Sequence, residues 1–367
     1  MRFFSLIFSL GILLLSSCST DVDINAEPKD ITIVYGILDI NDTVHYVKIN
    51  KAFLGEKSAY ELAKDRSLSE YDTNKVSASI TQVETGVVYE LKPIEITNKD
   101  SGIFYYPNQT VYYFENAELE ARNTDQSNTY RLNIEVEEDN GSKKNIIGET
   151  KLIKKINLPQ QTQLYKTTGI EFVNGSEYAT LTFKFTKSEN VSRYNITLRF
   201  NYDEEYTDGT KISKHFDLGL ASIKASQLTG SEVSIEVSGE TFFNAVNQNV
   251  PPATSDIKQR WLQDLTFIFS TAGEALDAYM EANEPATGLT QEKPEYTNLT
   301  ASYQDDDSKV ARVAGIFSTR YTQEENFPLG AQTIKELLNG EINNDIYRAD
   351  KAFCNPGVGI NDPSSCY

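Results

Sequence analysis

Apolar and polar residues alternate with a period of two along most of the chain, the signature of strands that bury one face. From residue 31 the run Ile-Thr-Ile-Val-Tyr-Gly-Ile-Leu-Asp-Ile reads as a buried strand over 31–40, with Gly36 as the place for a bulge. Asn41 and Asp42 turn the chain, and 44–53 pairs back as a hairpin. His45 on this return strand is expected to be a cross-strand packing partner. A short helical excursion is predicted over 58–64. Strands over 76–83 and 87–96 flank Glu84-Thr85-Gly86, and two short aromatic strands, 103–106 and 110–114, flank Pro107-Asn108-Gln109. The clearest hairpin joins Tyr130, Leu132, Ile134 and Val136, alternating with polar residues, to 145–153 through Asp139-Asn140-Gly141. Seven or eight antiparallel strands with frequent turns predict an immunoglobulin-like or fibronectin-like sandwich over 31–157.

Leu158-Pro159-Gln160-Gln161 reads as a linker to a second module, 158–352. Leu181, Phe183 and Phe185 alternate with polar residues, as do Tyr194, Ile196, Leu198, Phe200 and Tyr202; 216–223 and 233–237 continue the pattern. Helical spacing then appears over 241–249, stopped by Pro251-Pro252. A strand rich in large apolar residues follows over 261–269. Helices are predicted over 274–283 and 334–338, the latter stopped by Gly340. The expected fold class is therefore mainly β: an N-terminal sandwich, a second β-rich module with a few short helices, and a tail over 353–367.

Ahead of this body, 3–15 is an almost unbroken apolar run preceded by Arg2. It is shorter than the roughly 20 residues that span a bilayer. Its charged start, apolar centre and small-residue exit are those of a secretory signal. The exit, Leu15-Ser16-Ser17-Cys18, resembles a bacterial lipobox. The resemblance implies a signal peptide over 1–17, cleavage before Cys18, a diacylglycerol thioether on its sulfur and a further acyl chain, such as palmitate, on its amine. Two or more chains anchor stably where one does not. An ordinary secretory signal that happens to contain a cysteine is the alternative. Ser19 follows the cysteine where an Asp would signal retention in the inner membrane, so the pattern resembles lipoproteins sorted to the outer membrane. Asp21 and Asp23 resemble the acidic export signal of Bacteroidota surface lipoproteins; a solvated acidic tether over 18–30 is the plainer reading.

A formal net charge of −19 argues against nucleic-acid binding, which needs a basic face, and against docking on anionic lipid through a charged patch. With two histidines, His45 and His215, a multi-histidine metal site is not expected. Beyond Cys18, only Cys354 and Cys366 remain. In an oxidising envelope they are a disulfide pair closing a loop that holds Pro356, Gly357, Gly359 and Pro363; two free thiols is the alternative.

Candidate chemistry is sparse. Asp203, Glu204, Glu205 and Asp208 crowd one loop and Asp305, Asp306 and Asp307 another. Clustered carboxylates suit calcium, but neither loop has the spacing of a known calcium loop, and solvated hairpin tips are the simpler expectation. Paired carboxylates also serve glycoside hydrolysis, a pattern without specificity in a chain with 53 acids. There is no Gly-x-Ser-x-Gly motif. No cofactor, metal or catalytic residue is expected. Tyr105-Tyr106 and Tyr112-Tyr113 are doublets, and in a strand a doublet puts one ring on each face, one for the core and one for an exposed stacking platform.

Four segments carry a second resemblance: Val34-Tyr35-Gly36-Ile37-Leu38-Asp39, 45–53, Pro294-Glu295-Tyr296-Thr297-Asn298-Leu299 and Gly315-Ile316-Phe317-Ser318-Thr319-Arg320. Together they resemble uncharacterised Bacteroidota envelope lipoproteins of a domain-of-unknown-function family. Here the link between the last two is longer, and Ser-Thr-Arg replaces Ser-Ser-Arg. The resemblance implies an outer-membrane lipoprotein facing the cell surface, held by its lipid and working beside an outer-membrane protein. The expected function is thus that of a non-enzymatic binding or accessory subunit. A glycan-binding lipoprotein serving a transporter and an envelope hydrolase are the alternatives.

Overall fold

The computed structural model describes residues 31–52, 58–115, 129–139, 141–284, 296–304, 311–340, 342, 350–357 and 365–366. Among these the chain is mainly β, with several sheets and a few short helices. The first half supplies β1 (Ile31–Asp39), β2 (Val44–Lys51), β3 (Val76–Gln82), β4 (Val88–Glu90), β5 (Lys92–Ile96), β6 (Gln109–Glu115), β7 (Thr129–Glu137) and β8 (Lys143–Lys151). The second supplies β9 (Val173–Asn174), β10 (Glu177–Tyr178), β11 (Thr180–Thr186), β12 (Arg193–Tyr206), β13 (Lys211–Lys224), β14 (Glu232–Ser238), β15 (Ile257–Ala272), β16 (Leu299–Tyr303), β17 (Arg312–Phe327) and β18 (Phe353–Cys354). The helices are α1 (Ala59–Leu62), α2 (Arg66–Ser69), α3 (Gln160–Thr168), α4 (Gly239–Asn249), α5 (Glu274–Asn283) and α6 (Ala331–Asn339).

The large sheet runs β13-β12-β15-β17-β1-β2-β6-β5, with β18 added beside β15. A second sheet runs β16-β8-β7-β3-β4, and two short ribbons pair β11 with β14 and β9 with β10. Sheet bonding crosses the boundary expected at 157/158 twice. β1 pairs in parallel with β17, Ile31 opposite Arg312 and Asp39 opposite Arg320, and β16 pairs with β8. Strands 31–157 thus share both principal sheets with strands from the second half. The peptide expected to be a linker leads into α3, with Pro159 as its extended N-cap and Gln160 as the first helical residue.

The parallel joint between β1 and β17 has a strict steric condition. Gly315 has φ +95°, and a Cβ there would sit 1.9 Å from the Val34 carbonyl oxygen. Only glycine adopts that conformation at that distance. Beside it the fully buried Phe317 is seated between the sheets. A Cβ on Gly148 of β8 would lie 3.1 Å from the Phe317 Cβ and 2.5 Å from Leu299, so glycine there sets how closely the sheets approach. Gly36, expected as a bulge, instead keeps unbroken register with Phe317 on one side and Val47 on the other.

The rest of the core is aromatic. Phe183 on β11 stacks on Phe267 of β15 with ring centroids 3.9 Å apart, and Phe185, Phe269 and Phe327 close around them. Phe172 stacks on Phe242 of α4 at 4.3 Å. Burying each such ring contributes about 1.5–3 kcal/mol, which is how the short β11–β14 ribbon holds its place on the large sheet. Residues 103–106 are not a strand but an exposed bend, and the segment 87–96 divides: β4 pairs with β3 while β5 joins β6 in the other sheet.

Candidate binding surfaces

Cys18, the signal peptide 1–17 and the tether 18–30 lie outside the described residues, as do Asp305, Asp306 and Asp307. Cys354 and Cys366 are joined in a disulfide, Cα atoms 5.0 Å apart. The bridge ties the chain end to β18, which runs beside β15 at Arg260 and Trp261. The segment before it supplies the Lys351 carbonyl, which accepts from Arg260 Nη1 at 2.8 Å.

The acidic run at the end of β12 is not a solvated tip. Glu204 and Glu205 are 6% and 8% exposed, and both are held by groups from β15. Arg260, wholly buried, donates to Glu204 at 3.0 Å. Lys258, Gln259 and the Trp261 indole donate to Glu205 at 2.8, 2.9 and 2.7 Å, and Lys211 lies over the Trp261 ring. These bonds, the Lys258 bond foremost, hold the Glu205 carboxyl down to about 2. Asp203 accepts from Ser213 and Gln263, and Asp208 from the Thr210 amide. Glu204 and Glu205 are thus engaged inside the protein, while Asp208 sits exposed in the turn after β12, as expected for a hairpin tip. Among the described residues no three metal-ligating side chains come together.

Residues of 34–39, 296–299 and 315–320 meet at one joint. The Asn298 amide donates to the Phe317 carbonyl at 2.8 Å and accepts from the Phe317 N–H at 3.0 Å. Ser318 Oγ accepts from the Leu276 N–H at the start of α5, Thr319 donates to the Leu38 carbonyl, and Arg320 pairs with the buried Asp39. His45 is 1% exposed and stacks on Phe114 at 4.8 Å, with neither ring nitrogen hydrogen-bonded to a described residue. Burial pushes its pKa down, so the ring is neutral. It is a cross-strand packing partner.

The outer face of β1-β2-β6 is different. Tyr35 lies opposite Lys48, and Tyr46 lies opposite Tyr113, so cross-strand pairing and the two-residue period put Tyr35, Tyr46 and Tyr113 on one face. Tyr46 and Tyr35 are 50% and 41% exposed. The Tyr46 and Tyr113 rings stand 6.4 Å apart, and Tyr35 makes an edge contact with Tyr279 of α5, their hydroxyls 3.1 Å apart. Lys92 and Ile94 of β5 extend this face, Lys92 opposite Tyr113. Tyr112-Tyr113, which lies in β6, divides as the strand period requires, with Tyr112 buried and Tyr113 facing outward, whereas Tyr105-Tyr106 is not in a strand. In the bend, Tyr105 lies over Arg66 while Tyr106 is exposed. The sequence pointed to Tyr113; it did not place Tyr35, Tyr46 or Tyr279 beside it, because that needs the register between strands.

No protein-family model matches the chain, and no curated protein is significantly similar to it.

Proposed function

We propose that this protein is a lipid-anchored, non-enzymatic binding subunit of an outer-membrane assembly, held to the membrane through Cys18 and facing the cell surface. The observation that carries the binding role is the tyrosine face of β1-β2-β6. Tyrosine supplies large contact area at low entropy cost together with a polar handle, which is why it is enriched where proteins meet partners. The anchor rests on the lipobox at Leu15-Ser16-Ser17-Cys18. The acidic composition suits a soluble body outside the bilayer and disfavours anionic partners. A glycan-binding role serving a transporter is the second reading, favoured by the outward rings of Tyr46 and Tyr113, because aromatic faces also stack on sugars.

The test is a crosslinked pull-down of the tagged full chain from native membranes, beside Cys18→Ala and a Tyr46→Ala/Tyr113→Ala double variant. The expected result is a stoichiometric outer-membrane protein with the wild type, reduced at least tenfold by either change. Recovery that ignores the tyrosines removes the face from the proposal. An abundant, lipidated chain that brings down no partner ends the accessory reading.

A further inference from the structure

A cleft of about 470 Å³ opens where the two sheets and the first turn of α5 meet. Its walls come from the end of β8, from the turn before β12, from α5 and from residues 296–298. Some of its polar groups are already engaged. Asn298 holds Phe317, and Glu149 pairs through one oxygen with Arg131 at 2.6 Å. Others are not. The exposed Lys151 and Glu274 and the partly buried Tyr296 all line the cleft, and none of their side chains makes a hydrogen bond or ion pair with a described residue. Tyr296 is half-buried, and its phenol is pushed up by burial and by Glu274, so it remains a donor at neutral pH. Asn190, at the rim, is a non-glycine residue at φ 64°, held there by its side chain's bond to the Leu152 carbonyl.

The lining narrows the ligand. Two carboxylates, Glu149 and Glu274, repel anions. One aromatic ring among polar groups is too little apolar surface for a lipid or drug-like molecule. A ligand that both donates and accepts many hydrogen bonds, and offers one flat CH face to a ring, fits what remains. We propose that this cleft binds a neutral saccharide of one or two residues, stacked on Tyr296, its hydroxyls bonded by Glu274 and Lys151. The volume lies within the range of small-ligand sites, about 300–1,000 Å³. The inference rests on the binding-protein reading but not on its tyrosine face: both adjoin α5, yet Tyr35, Tyr46 and Tyr113 do not line the cleft.

The test is calorimetric titration of the full chain in detergent micelles with maltose, cellobiose and N,N′-diacetylchitobiose, and with glucosamine hydrochloride as a cationic probe. The variants are Glu274→Gln, Tyr296→Ala and Tyr46→Ala. The expected result is one-site binding of at least one disaccharide, weakened about tenfold by Glu274→Gln or Tyr296→Ala. A tenfold loss is about 1.4 kcal/mol. No disaccharide binding up to millimolar concentration overturns the proposal, as does binding of glucosamine alone. Binding lost in Tyr46→Ala but kept in both cleft variants also overturns it, while leaving the protein a glycan binder through its tyrosine face.

Discussion

Asn298 and Phe317 close a two-way pair: the side-chain amide of one donates to and accepts from the backbone of the other. The same device recurs with Gln323, whose amide accepts from the Ile156 N–H at 2.8 Å and donates to its carbonyl at 2.9 Å. Each clamp joins β17, or the segment before β16, to chain laid down elsewhere, and each satisfies backbone groups that sheet pairing leaves over. Removing the Asn298 amide leaves buried backbone groups unpaired, at about 1–3 kcal/mol for each such group. Asn298→Ala is expected to lower unfolding free energy by about 2–4 kcal/mol, and Asn298→Asp, which keeps the acceptor and loses the donor, by less. Equal losses in urea titrations of the two variants would show that the bond accepted from the Phe317 N–H carries nothing.

Gly315→Ala tests the β1–β17 joint. The new methyl must enter the space of the Val34 carbonyl and adopt a left-handed backbone conformation. Strain of this kind costs about 1–3 kcal/mol before any steric displacement. The variant is expected to lose more stability than Gly86→Ala, where φ is also positive, +72°, but nothing lies within 4 Å of the added carbon. Comparable thermal midpoints for the two would mean that the sheet yields at residue 315.

These two residues also show how far the sequence could be read. The β7–β8 hairpin was legible because Asp139-Asn140-Gly141 separates two alternating runs, and each side needs only its neighbour. β17 was not. Its interior positions include Ser318, Thr319 and Gln323, all 5% exposed or less, and polar residues inside a strand erase the alternation. They are buried because β17 has a strand on either side and α5 above it. α3 was hidden because its sequence is polar and buries only Thr162. The fate of Glu204 and Glu205 was hidden for another reason: their partners, Lys258 to Trp261, lie on the next strand of the sheet and more than fifty residues away in sequence.

Glu205 gives an optical prediction. Its folded-state pKa is held below the ordinary glutamate value, so its contribution to stability is present above about pH 4.5 and fades as pH falls toward about 2. Trp261, the sole tryptophan, donates to this carboxylate. Its fluorescence is expected to change with a midpoint near 2 to 3 rather than near 4.5, and Glu205→Gln should flatten the transition. A wild-type midpoint at 4.5 would mean that the three donors do not hold the carboxylate.

His45 works in the opposite sense. Burial lowers its folded pKa below 6.5, so the unfolded chain binds a proton first as pH falls. Stability is unaffected above about pH 6.5 and declines below it, by up to about 1.4 kcal/mol per pH unit, until the folded pKa is reached. His45→Leu removes the proton acceptor and is expected to flatten the stability profile between pH 6.5 and 5. A variant whose stability declines as steeply as the wild type's across that interval would place the proton elsewhere.

The disulfide holds the tail where the Lys351 carbonyl meets Arg260. Cys354→Ser is expected to cost about 2–3 kcal/mol for a loop of this size. It should also make the chain end an early site of limited proteolysis. Unchanged cleavage would show that β18 holds the tail without the bridge.

The parallel pairing of β1 with β17 has a consequence in time. Ile31 meets Arg312 across 281 positions of sequence. A chain made or threaded from its N-terminus presents β1 and β2 long before β17 exists, and the five-stranded sheet likewise waits for β16. The β7–β8 hairpin can form early, but neither principal sheet can close until nearly the whole polypeptide is present. Long-range pairing of this kind makes folding slow. A chain that stays open until its last sixteen-residue strand arrives is one that machinery able to pass only unfolded polypeptide can still move.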